Sequence, residues 1–192
     1  MLAYPVMENS GHKNAAPIIL IGPMGAGKTA VGRRLAAKLG RRFIDMDQEL
    51  ERRTGASVNL IFDVEGEAGF RRRESALLAE LCALNDIVLA TGGGIVTQPG
   101  NRAQLARGLV VYLKTSVETQ LQRLARDRQR PLLCHPDRRS RLQRLASERN
   151  GLYETCADLI VGTGHGPVAK TATQIERVLH EYWHSNSTGL AL

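Results

Sequence analysis

The 192-residue sequence contains few cysteines, and their spacing excludes two classes of protein. Cys82, Cys134 and Cys156 are odd in number and widely scattered, so they lack the paired pattern of a disulfide-stabilised secreted domain. They lack CxxC spacing, and the sequence predicts no complete metal-binding set around them. We therefore expect reduced thiols and a cytoplasmic protein.

Long hydrophobic segments are also missing. The longest apolar run falls well short of the roughly 20 residues that a membrane-spanning helix needs. The N-terminus lacks the basic-then-apolar order of a secretory signal, and the chain contains no internal repeat. With 43% hydrophobic residues and a mean hydropathy of −0.21, the sequence predicts one globular domain without membrane association. We place this domain at residues 17–184, between a disordered leader, 1–16, and a tail, 185–192.

Positive charge is concentrated in one segment. Of a net charge of +7, the residues from Arg123 to Arg149 contribute +6, through nine arginines and three acidic residues. Such a cluster can bind anions, for example the phosphates of a nucleic acid, a nucleotide or a small acidic metabolite. A solvated helix face is the other interpretation, and it is the more frequent origin of a charge run.

Short apolar runs alternate with segments of helical periodicity. One helix is expected to end at Gly40, and Thr115 with Glu118 has the spacing of a capping box that starts another. Helical spacing between residues 48 and 84 is broken near Gly55 and Gly66. This alternation predicts a parallel sheet covered by helices on both faces, with ligands at the carboxyl ends of the strands. Strands are predicted at residues 17–22, 41–47, 87–90, 109–114 and 157–162.

The segment GPMGAGKT, residues 22–29, matches the phosphate-binding motif G-x-x-x-x-G-K-[ST] at every fixed position. It lies between an apolar strand and a helix, which is the context that the motif requires. Its glycines let backbone N–H groups surround phosphate oxygens, while Lys28 can reach the β and γ phosphates. The Thr29 hydroxyl can contact Mg²⁺. The sequence therefore predicts a nucleotide-binding site.

Two carboxylates follow the second strand. If strand geometry persists, Asp45 and Asp47 point to the same side, where one can hold Mg²⁺ and the other can accept the proton of an acceptor hydroxyl. Alternatively, both residues are the N-terminal acids of the next helix, where they interact favourably with its dipole.

Arg71 and Glu74 are three residues apart on a predicted helix, beside Phe70. Such a pair is most often structural and contributes about 0.2–0.5 kcal/mol. Three consecutive glycines, residues 92–94, follow the predicted strand at 87–90 after one intervening residue, Thr91. Because each glycine loses more backbone entropy on folding than other residues, this triplet indicates either a very tight turn or a ligand in contact with the backbone.

Taken together, these motifs resemble those of the shikimate kinase family. The resemblance extends over about residues 18–179 and rests on six features in order: the phosphate-binding loop, Asp45 with Asp47, the F-x-x-x-G-E-x-x-F-R-x-x-E segment at 62–74, the glycine triplet, RPLL at 130–133, and Arg149 ahead of Leu152-Tyr153. Each feature alone is weak, but six at compatible spacing are specific.

The resemblance implies a fold like that of nucleoside monophosphate kinases, with a five-stranded parallel sheet of order 2-3-1-4-5 and a mobile lid at about 126–138. It implies transfer of the γ-phosphoryl group of ATP to the 3-hydroxyl of shikimate, with Mg²⁺ as cofactor. It also implies a monomer that acts in aromatic amino acid biosynthesis and does not bind nucleic acid.

Roles on the acceptor side follow from the same resemblance. Asp47 would bind the reacting hydroxyl, and Arg71 and Arg149 would bind the shikimate carboxylate. Gly93 and Gly94 would lie against shikimate. Thr29 and Asp45 would hold the metal, and Lys28, Asp47 and Arg130 would be the catalytic residues.

On the nucleotide side, the resemblance implies that Arg130 reaches the transferring group and that Arg123 stacks near adenine. The loop 162–167 departs from the family pattern, since it is rich in glycine and lacks a clear asparagine, although Pro167 could pack on the ring. The residues expected to contact ATP are Gly25, Ala26, Gly27, Lys28, Thr29, Ala30, Arg123, Arg130 and Pro167.

Two other functions are compatible with parts of the sequence. Gluconate kinases share the fold and the phosphate-binding loop, but their acceptor does not account for Arg71, Glu74, the glycine triplet and Arg149 together. A nucleotide-dependent regulatory or nucleic-acid-binding protein would use the basic cluster instead.

Overall fold

The structure, a computed structural model, describes residues 15–125, 137–164 and 166–188. Five strands form one parallel sheet in the order β2-β3-β1-β4-β5, which confirms the expected topology. The strands are β1 Ile18–Ile21, β2 Arg42–Asp45, β3 Ile87–Ala90, β4 Leu109–Lys114 and β5 Leu159–Gly162. The helices are α1 Lys28–Leu39, α2 Met46–Thr54, α3 Val58–Leu81, α4 Pro99–Leu105, α5 Val117–Leu124, α6 Arg138–Cys156 and α7 Val168–Thr188, with a short 3₁₀ turn at Ile95–Thr97.

Strand β1 lies at the centre of the sheet and is fully buried. Because successive side chains of a strand point to opposite faces, its residues divide between two apolar cores. Ile19 and Ile21 pack in the core on the side of α2, α3 and α6, whereas Ile18 and Leu20 pack in the core on the side of α1 and α7. The sheet therefore has helices on both faces, as the continuous apolar strands predict.

Two glycines determine how helices end or bend. Helix α1 ends at Gly40, whose left-handed φ of 64° lets its N–H donate to Ala36 O, as predicted. Helix α3 bends at Gly66, which has φ 68° and ψ −178°. Beyond this bend, Arg73 reaches back to pair with Glu65, eight residues earlier. The predicted break near Gly55 is also present, since α2 ends at Thr54.

The predicted capping box is wrong by one residue. Ser116, not Thr115, caps α5, because its side chain accepts from the backbone N–H of Thr119. The Thr115 hydroxyl lies 2.5 Å from that of Thr163, at the end of β5. The hydroxyl of Thr115, which the sequence predicts to be the cap, is therefore hydrogen-bonded to the residue after β5 instead.

Both predicted ends of the domain lie partly outside the described residues. Of the leader, residues 1–14 are not described, while the carbonyl groups of Ala15 and Ala16 accept hydrogen bonds from Asp86 N–H and Arg41 Nη1. Helix α7 continues to Thr188, four residues into the expected tail.

Most of the expected lid, 126–136, is not described, and Asp137 caps α6. Within the described ranges, every helix is too short or too polar to cross a membrane.

Candidate active site

A cavity of about 280 Å³ lies at the carboxyl edge of the sheet, as expected for a parallel α/β fold. Its lining combines the phosphate-binding loop and the start of α1 with two residues of the glycine triplet and the two aspartates. The side chains of Arg123 and Leu124 complete it. The cavity is lined by Gly25, Gly27, Lys28, Thr29, Ala30, Asp45, Asp47, Thr91, Gly92, Gly93, Arg123 and Leu124.

The phosphate-binding loop is held by its own lysine. Lys28 Nζ donates to the carbonyl oxygens of Gly22 at 2.7 Å and Pro23 at 2.8 Å. Lys28 is the first residue of α1, so the positive end of the helix dipole and the ammonium group meet at this loop. This geometry concentrates positive charge and backbone donors where an anion can bind.

Asp45 links the phosphate-binding loop to α2. Strand β2 ends at Asp45, whose carboxylate accepts from the backbone N–H groups of Asp47 and Gln48 and so caps α2. The expectation that strand geometry persists to Asp47 is therefore wrong, because the backbone turns into a helix immediately after Asp45. The other carboxylate oxygen of Asp45 accepts from Thr29 Oγ1 at 2.6 Å. The alternative that both are N-terminal acids of the next helix is thus confirmed, since Asp45 caps α2 and Asp47 lies in its first turn. Both aspartates also line the cavity.

Arg71 and Glu74 form a buried ion pair. Arg71 Nη1 lies 2.6 Å from Glu74 Oε2, and only 2% of the Glu74 side chain is exposed. Arg71 Nη2 also pairs with Glu67, and its guanidinium lies 5.2 Å from the ring centroid of Phe70. The pair is therefore not the exposed surface pair that the spacing alone most often indicates.

Burial and charge together set the protonation of this pair. Burial raises the pKa of the Glu74 carboxyl group, and the guanidinium of Arg71 opposes that shift. Burial acts to lower the pKa of Arg71, but Glu74 and Glu67 together more than compensate, so the pKa of Arg71 is raised. Asp47 and Arg149 act on the Glu74 carboxylate as well. The Glu74 carboxylate therefore interacts electrostatically with all three charged residues predicted for the acceptor site, Asp47, Arg71 and Arg149.

The glycine triplet is surrounded by these charged side chains. A Cβ built on Gly92 would lie 2.7 Å from Glu74 Oε1, and one built on Gly94 would lie 2.6 Å from Arg71 Nη1. At Gly93, a Cβ would approach the backbone nitrogen of Met24 to 3.4 Å. A side chain at Gly92 or Gly94 would therefore displace the charged end of Glu74 or Arg71.

Helix α6 contacts the triplet through two side chains. Arg149 Nη1 donates to the carbonyl oxygen of Gly93 at 3.3 Å, and the hydroxyl of Tyr153 donates to the same oxygen. Tyr153 is 1% exposed and stacks on Tyr112, with 5.0 Å between the ring centroids. The sequence assigned no role to Tyr153. Its position four residues after Arg149, on the same face of a helix, was the available signal.

Arg123 joins the phosphate-binding loop to the segment after β5. Its Nη1 donates to the carbonyl oxygens of Gly25 at 2.9 Å and Ala26 at 3.2 Å, and its Nη2 donates to Gly164 O at 2.5 Å. Pro167 follows in the same segment, directly before α7. Arg123 thus lies beside the phosphate-binding loop, and its predicted contact with adenine stays a prediction. Arg130, predicted to be catalytic, lies outside the described residues.

Other arginines of the basic cluster lie on the surface. Arg139 pairs with Glu118 and Arg144 pairs with Glu148, and all four side chains are more than half exposed. Exposed pairs of this kind contribute little to stability. These arginines match the solvated-face interpretation, whereas Arg123 and Arg149 face the cavity or its wall.

Thr29 and Asp45 are the candidate metal ligands that the sequence predicts, and they are in contact with each other. The described part of the chain contains no cluster of three or more His, Cys, Asp or Glu side chains arranged to hold a metal ion. The Thr29 hydroxyl and the Asp45 carboxylate, 2.6 Å apart, are oxygen donors of the kind that Mg²⁺ prefers when phosphates and water supply its remaining ligands.

The fold and the site together define an ATP-dependent kinase of the P-loop class. Its sheet has the strand order of nucleoside monophosphate kinases, and the two carboxylates Asp45 and Asp47 line the same cavity as the phosphate-binding loop. Such a shared cavity is the feature that separates small-molecule kinases from nucleotide switches.

Comparison with known proteins identifies the family. The family model for shikimate kinase matches residues 24–180. A shikimate kinase of Thioalkalivibrio sulfidiphilus is 56% identical over 161 residues, which cover 83% of this chain and 85% of the relative. A structure of shikimate kinase from Acinetobacter baumannii in complex with shikimate matches with a TM-score of 0.85 and 48% identity, over 88% of this chain and 94% of that chain. The chain belongs to the shikimate kinase family.

A more distant structural match concerns the fold alone. A gluconokinase from Sinorhizobium meliloti matches with a TM-score of 0.59 but only 19% identity, over 91% of this chain and 99% of that chain. The gluconate kinase alternative therefore rests on shared architecture, as the sequence suggested.

Proposed function

We propose that this protein transfers the γ-phosphoryl group of ATP to the 3-hydroxyl of shikimate. In this proposal Arg71, Arg149 and Asp47 together form the acceptor site. The observation that carries the proposal is the position of the Arg71–Glu74 ion pair beside the glycine triplet, of which Gly92 and Gly93 line the same cavity as the phosphate-binding loop. The match to a family member whose structure holds shikimate supports the same acceptor.

The acceptor carboxylate would bind between two guanidinium groups. The Nε atoms of Arg71 and Arg149 are buried and have no hydrogen-bond partner among the described residues. Buried donors of this kind are usually satisfied, so a ligand carboxylate is a reasonable partner for them. Planar guanidinium groups bind a carboxylate through two parallel hydrogen bonds, which an ammonium group cannot do. Glu74 holds Arg71 in place for this contact.

Asp47 would accept the hydrogen bond of the reacting hydroxyl. Its carboxylate lines the cavity, and it interacts electrostatically with Glu74 on the acceptor side. A carboxylate in that position orients the hydroxyl and can take its proton as the phosphoryl group transfers. Orientation of the two reactants is the largest part of what a kinase contributes, since the chemistry needs no covalent intermediate.

The charge of the transferring group would be neutralised from the nucleotide side. Lys28 would exchange its contacts with loop carbonyl groups for phosphate oxygens, and Arg130 would reach the same group from the lid. Thr29 and Asp45 would hold Mg²⁺, which when bound supplies further neutralisation of phosphate charge. Closure of the lid at 126–138 would exclude water from the reacting groups.

A coupled assay of ADP release tests this function directly. Purified protein with ATP and Mg²⁺ should release ADP rapidly with shikimate and only at a background rate without acceptor or with gluconate. Turnover with gluconate, but not with shikimate, would contradict the proposal. Tight polynucleotide binding that weakens steeply with salt, without acceptor-dependent turnover, would favour the nucleic-acid alternative.

We further propose that the protein is a cytoplasmic monomer. Gel filtration with light scattering would test the oligomeric state, and a mass near 21.0 kDa is expected for the monomer.

A further inference from the structure

The carbonyl oxygen of Gly93 is bound by two side chains of α6 at once. Arg149 Nη1 and the Tyr153 hydroxyl both donate to it. A carbonyl oxygen has two lone pairs, so these two donors can use its full accepting capacity. The glycine triplet is therefore attached to α6 through a single backbone atom.

This attachment fixes the orientation of the next peptide unit. In a trans peptide, the carbonyl of Gly93 and the N–H of Gly94 point in opposite directions, and every described peptide bond is trans. The side chains that bind the carbonyl therefore also determine where the Gly94 N–H points, which is away from α6. On its other side, Gly93 approaches the phosphate-binding loop, since a Cβ there would lie 3.4 Å from Met24 N.

Tyr153 is better suited than Arg149 to hold this carbonyl. The proposed function assigns Arg149 to the acceptor carboxylate, which competes for its guanidinium. Tyr153 is 1% exposed, and its ring is fixed by stacking on Tyr112. Burial raises the pKa of Tyr153 to about 12, so its hydroxyl remains a neutral donor at neutral pH.

We propose that Tyr153 is a positioning residue of the acceptor site: its hydroxyl holds the Gly93 carbonyl and thereby aims the Gly93–Gly94 peptide at the acceptor. This inference rests on the proposed function, because it assumes that shikimate lies against the triplet. Tyr153 does not line the cavity, so it acts through the Gly93 carbonyl and through Arg149, whose side chain is hydrogen-bonded to its hydroxyl. Its loss should therefore weaken acceptor binding and leave nucleotide binding intact.

The chain offers a matched control for this test. Tyr112 and Tyr153 form one stacked pair, and both are about 1% exposed. Among the described residues, the hydrogen-bond partner of the Tyr112 hydroxyl is Asn150 Oδ1, at 3.5 Å. Replacing either tyrosine by phenylalanine removes one hydroxyl and keeps the stacked rings. Only Tyr153→Phe removes the contact with Gly93.

Steady-state kinetics of Tyr153→Phe, Tyr112→Phe and the unchanged protein would decide the matter. We expect Tyr153→Phe to raise the KM for shikimate about three- to tenfold, which corresponds to the loss of one hydrogen bond. The KM for ATP should change less than about twofold, and Tyr112→Phe should leave both constants within that range. Calorimetric titration of shikimate at about 15 °C, near the maximum stability of most domains, should give the same ratio even if a variant melts earlier.

The inference is overturned if Tyr153→Phe binds shikimate as tightly as the unchanged protein. It is also overturned if Tyr153→Phe raises the constants for shikimate and ATP equally, or if Tyr112→Phe has the same effect, because general loosening of the core would then be the cause. Absence of shikimate-dependent ADP release by the unchanged protein is a different result. It would refute the proposed function itself, and with it the basis of the inference.

Discussion

The guanidinium group of Arg71 occupies the space in which a side chain at Gly94 would begin. A Cβ built on Gly94 would lie 2.7 Å from Arg71 Cζ, which is well inside van der Waals contact. The backbone of Gly94, with φ −97° and ψ 2°, does not itself require glycine. The identity of this residue is therefore set by the arginine that packs against it.

Gly94→Ala should accordingly displace Arg71 from Glu74 and raise the KM for shikimate by about tenfold or more. The KM for ATP should change little. Gly100→Ala in α4 is the matched control, because a Cβ there meets nothing within 4 Å. Kinetics and melting temperatures of both variants would check this, and equal acceptor constants would contradict it.

Arg71→Lys should keep the positive charge and lose the two-pronged contact with the carboxylate. Hydrogen bonds to charged groups contribute about 1.5–3 kcal/mol, so the KM for shikimate should rise by about ten- to a hundredfold. Arg73→Lys on the same helix serves as the control, since Arg73 pairs with Glu65 on the surface. An unchanged acceptor KM in Arg71→Lys would remove Arg71 from the acceptor site.

Asp47→Asn should nearly abolish phosphoryl transfer, because an amide cannot take the proton of the acceptor hydroxyl. Loss of a general base typically lowers turnover by about 10²- to 10⁴-fold. Asp63→Asn, at an exposed position of α3, is the control for the removal of one negative charge. Full activity of Asp47→Asn in the ADP-release assay would rule out the assigned role.

Arg130→Ala should lower kcat by about 10²-fold or more, with a much smaller effect on the KM for shikimate. This expectation rests on the sequence, since Arg130 lies outside the described residues. Arg144→Ala, which removes an exposed arginine of the same basic cluster, should retain full activity. Comparable losses in kcat and in acceptor affinity would instead indicate that Arg130 binds the ground state.

The two glutamates paired with arginines of α3 should affect the pH dependence of stability in opposite directions. Burial raises the pKa of Glu74, so the folded state binds more protons than the unfolded state, and the contribution of Glu74 is lost as pH rises above about 4.5. The hydrogen bond from Arg73 lowers the pKa of Glu65, so its contribution is lost as pH falls below about 4.5.

Urea unfolding between about pH 3 and pH 7 would measure both effects. Relative to the unchanged protein, Glu74→Gln should show a more positive slope of unfolding free energy against pH, above about pH 4.5. Glu65→Gln should show a less positive slope, below that pH. Slopes that shift in the same direction in both variants would contradict the assigned environments.

The sequence predicts the fold well because its signals are local. Alternating apolar strands and helices, a helix end at Gly40 and the bend at Gly66 all depend on residues close in the chain. The phosphate-binding loop is predictable for the same reason. By contrast, Ser116 and Thr115 are both able to cap a helix, and the choice depends on Thr163, 48 residues away from Thr115.

The parts of the site that the sequence did not predict depend on long-range packing. Tyr153 meets Gly93 across 60 residues of sequence. Its spacing from Arg149 indicates a shared face of α6, but not which backbone atom that face contacts. The burial of Glu74 likewise follows from the placement of α3 against the glycine triplet. At Asp45, the sequence indicated two roles as alternatives, whereas its two carboxylate oxygens contact α2 and Thr29 at the same time.

The position of Asp45 between two helices also affects the electric field of the cavity. Thr29 lies in the first turn of α1, and Asp45 caps α2, so the positive ends of two helix dipoles converge on one carboxylate. Each end is equivalent to roughly half a positive elementary charge. Together they offset about one negative charge, which reduces the electrostatic repulsion between the Asp45 carboxylate and a polyphosphate bound in the cavity.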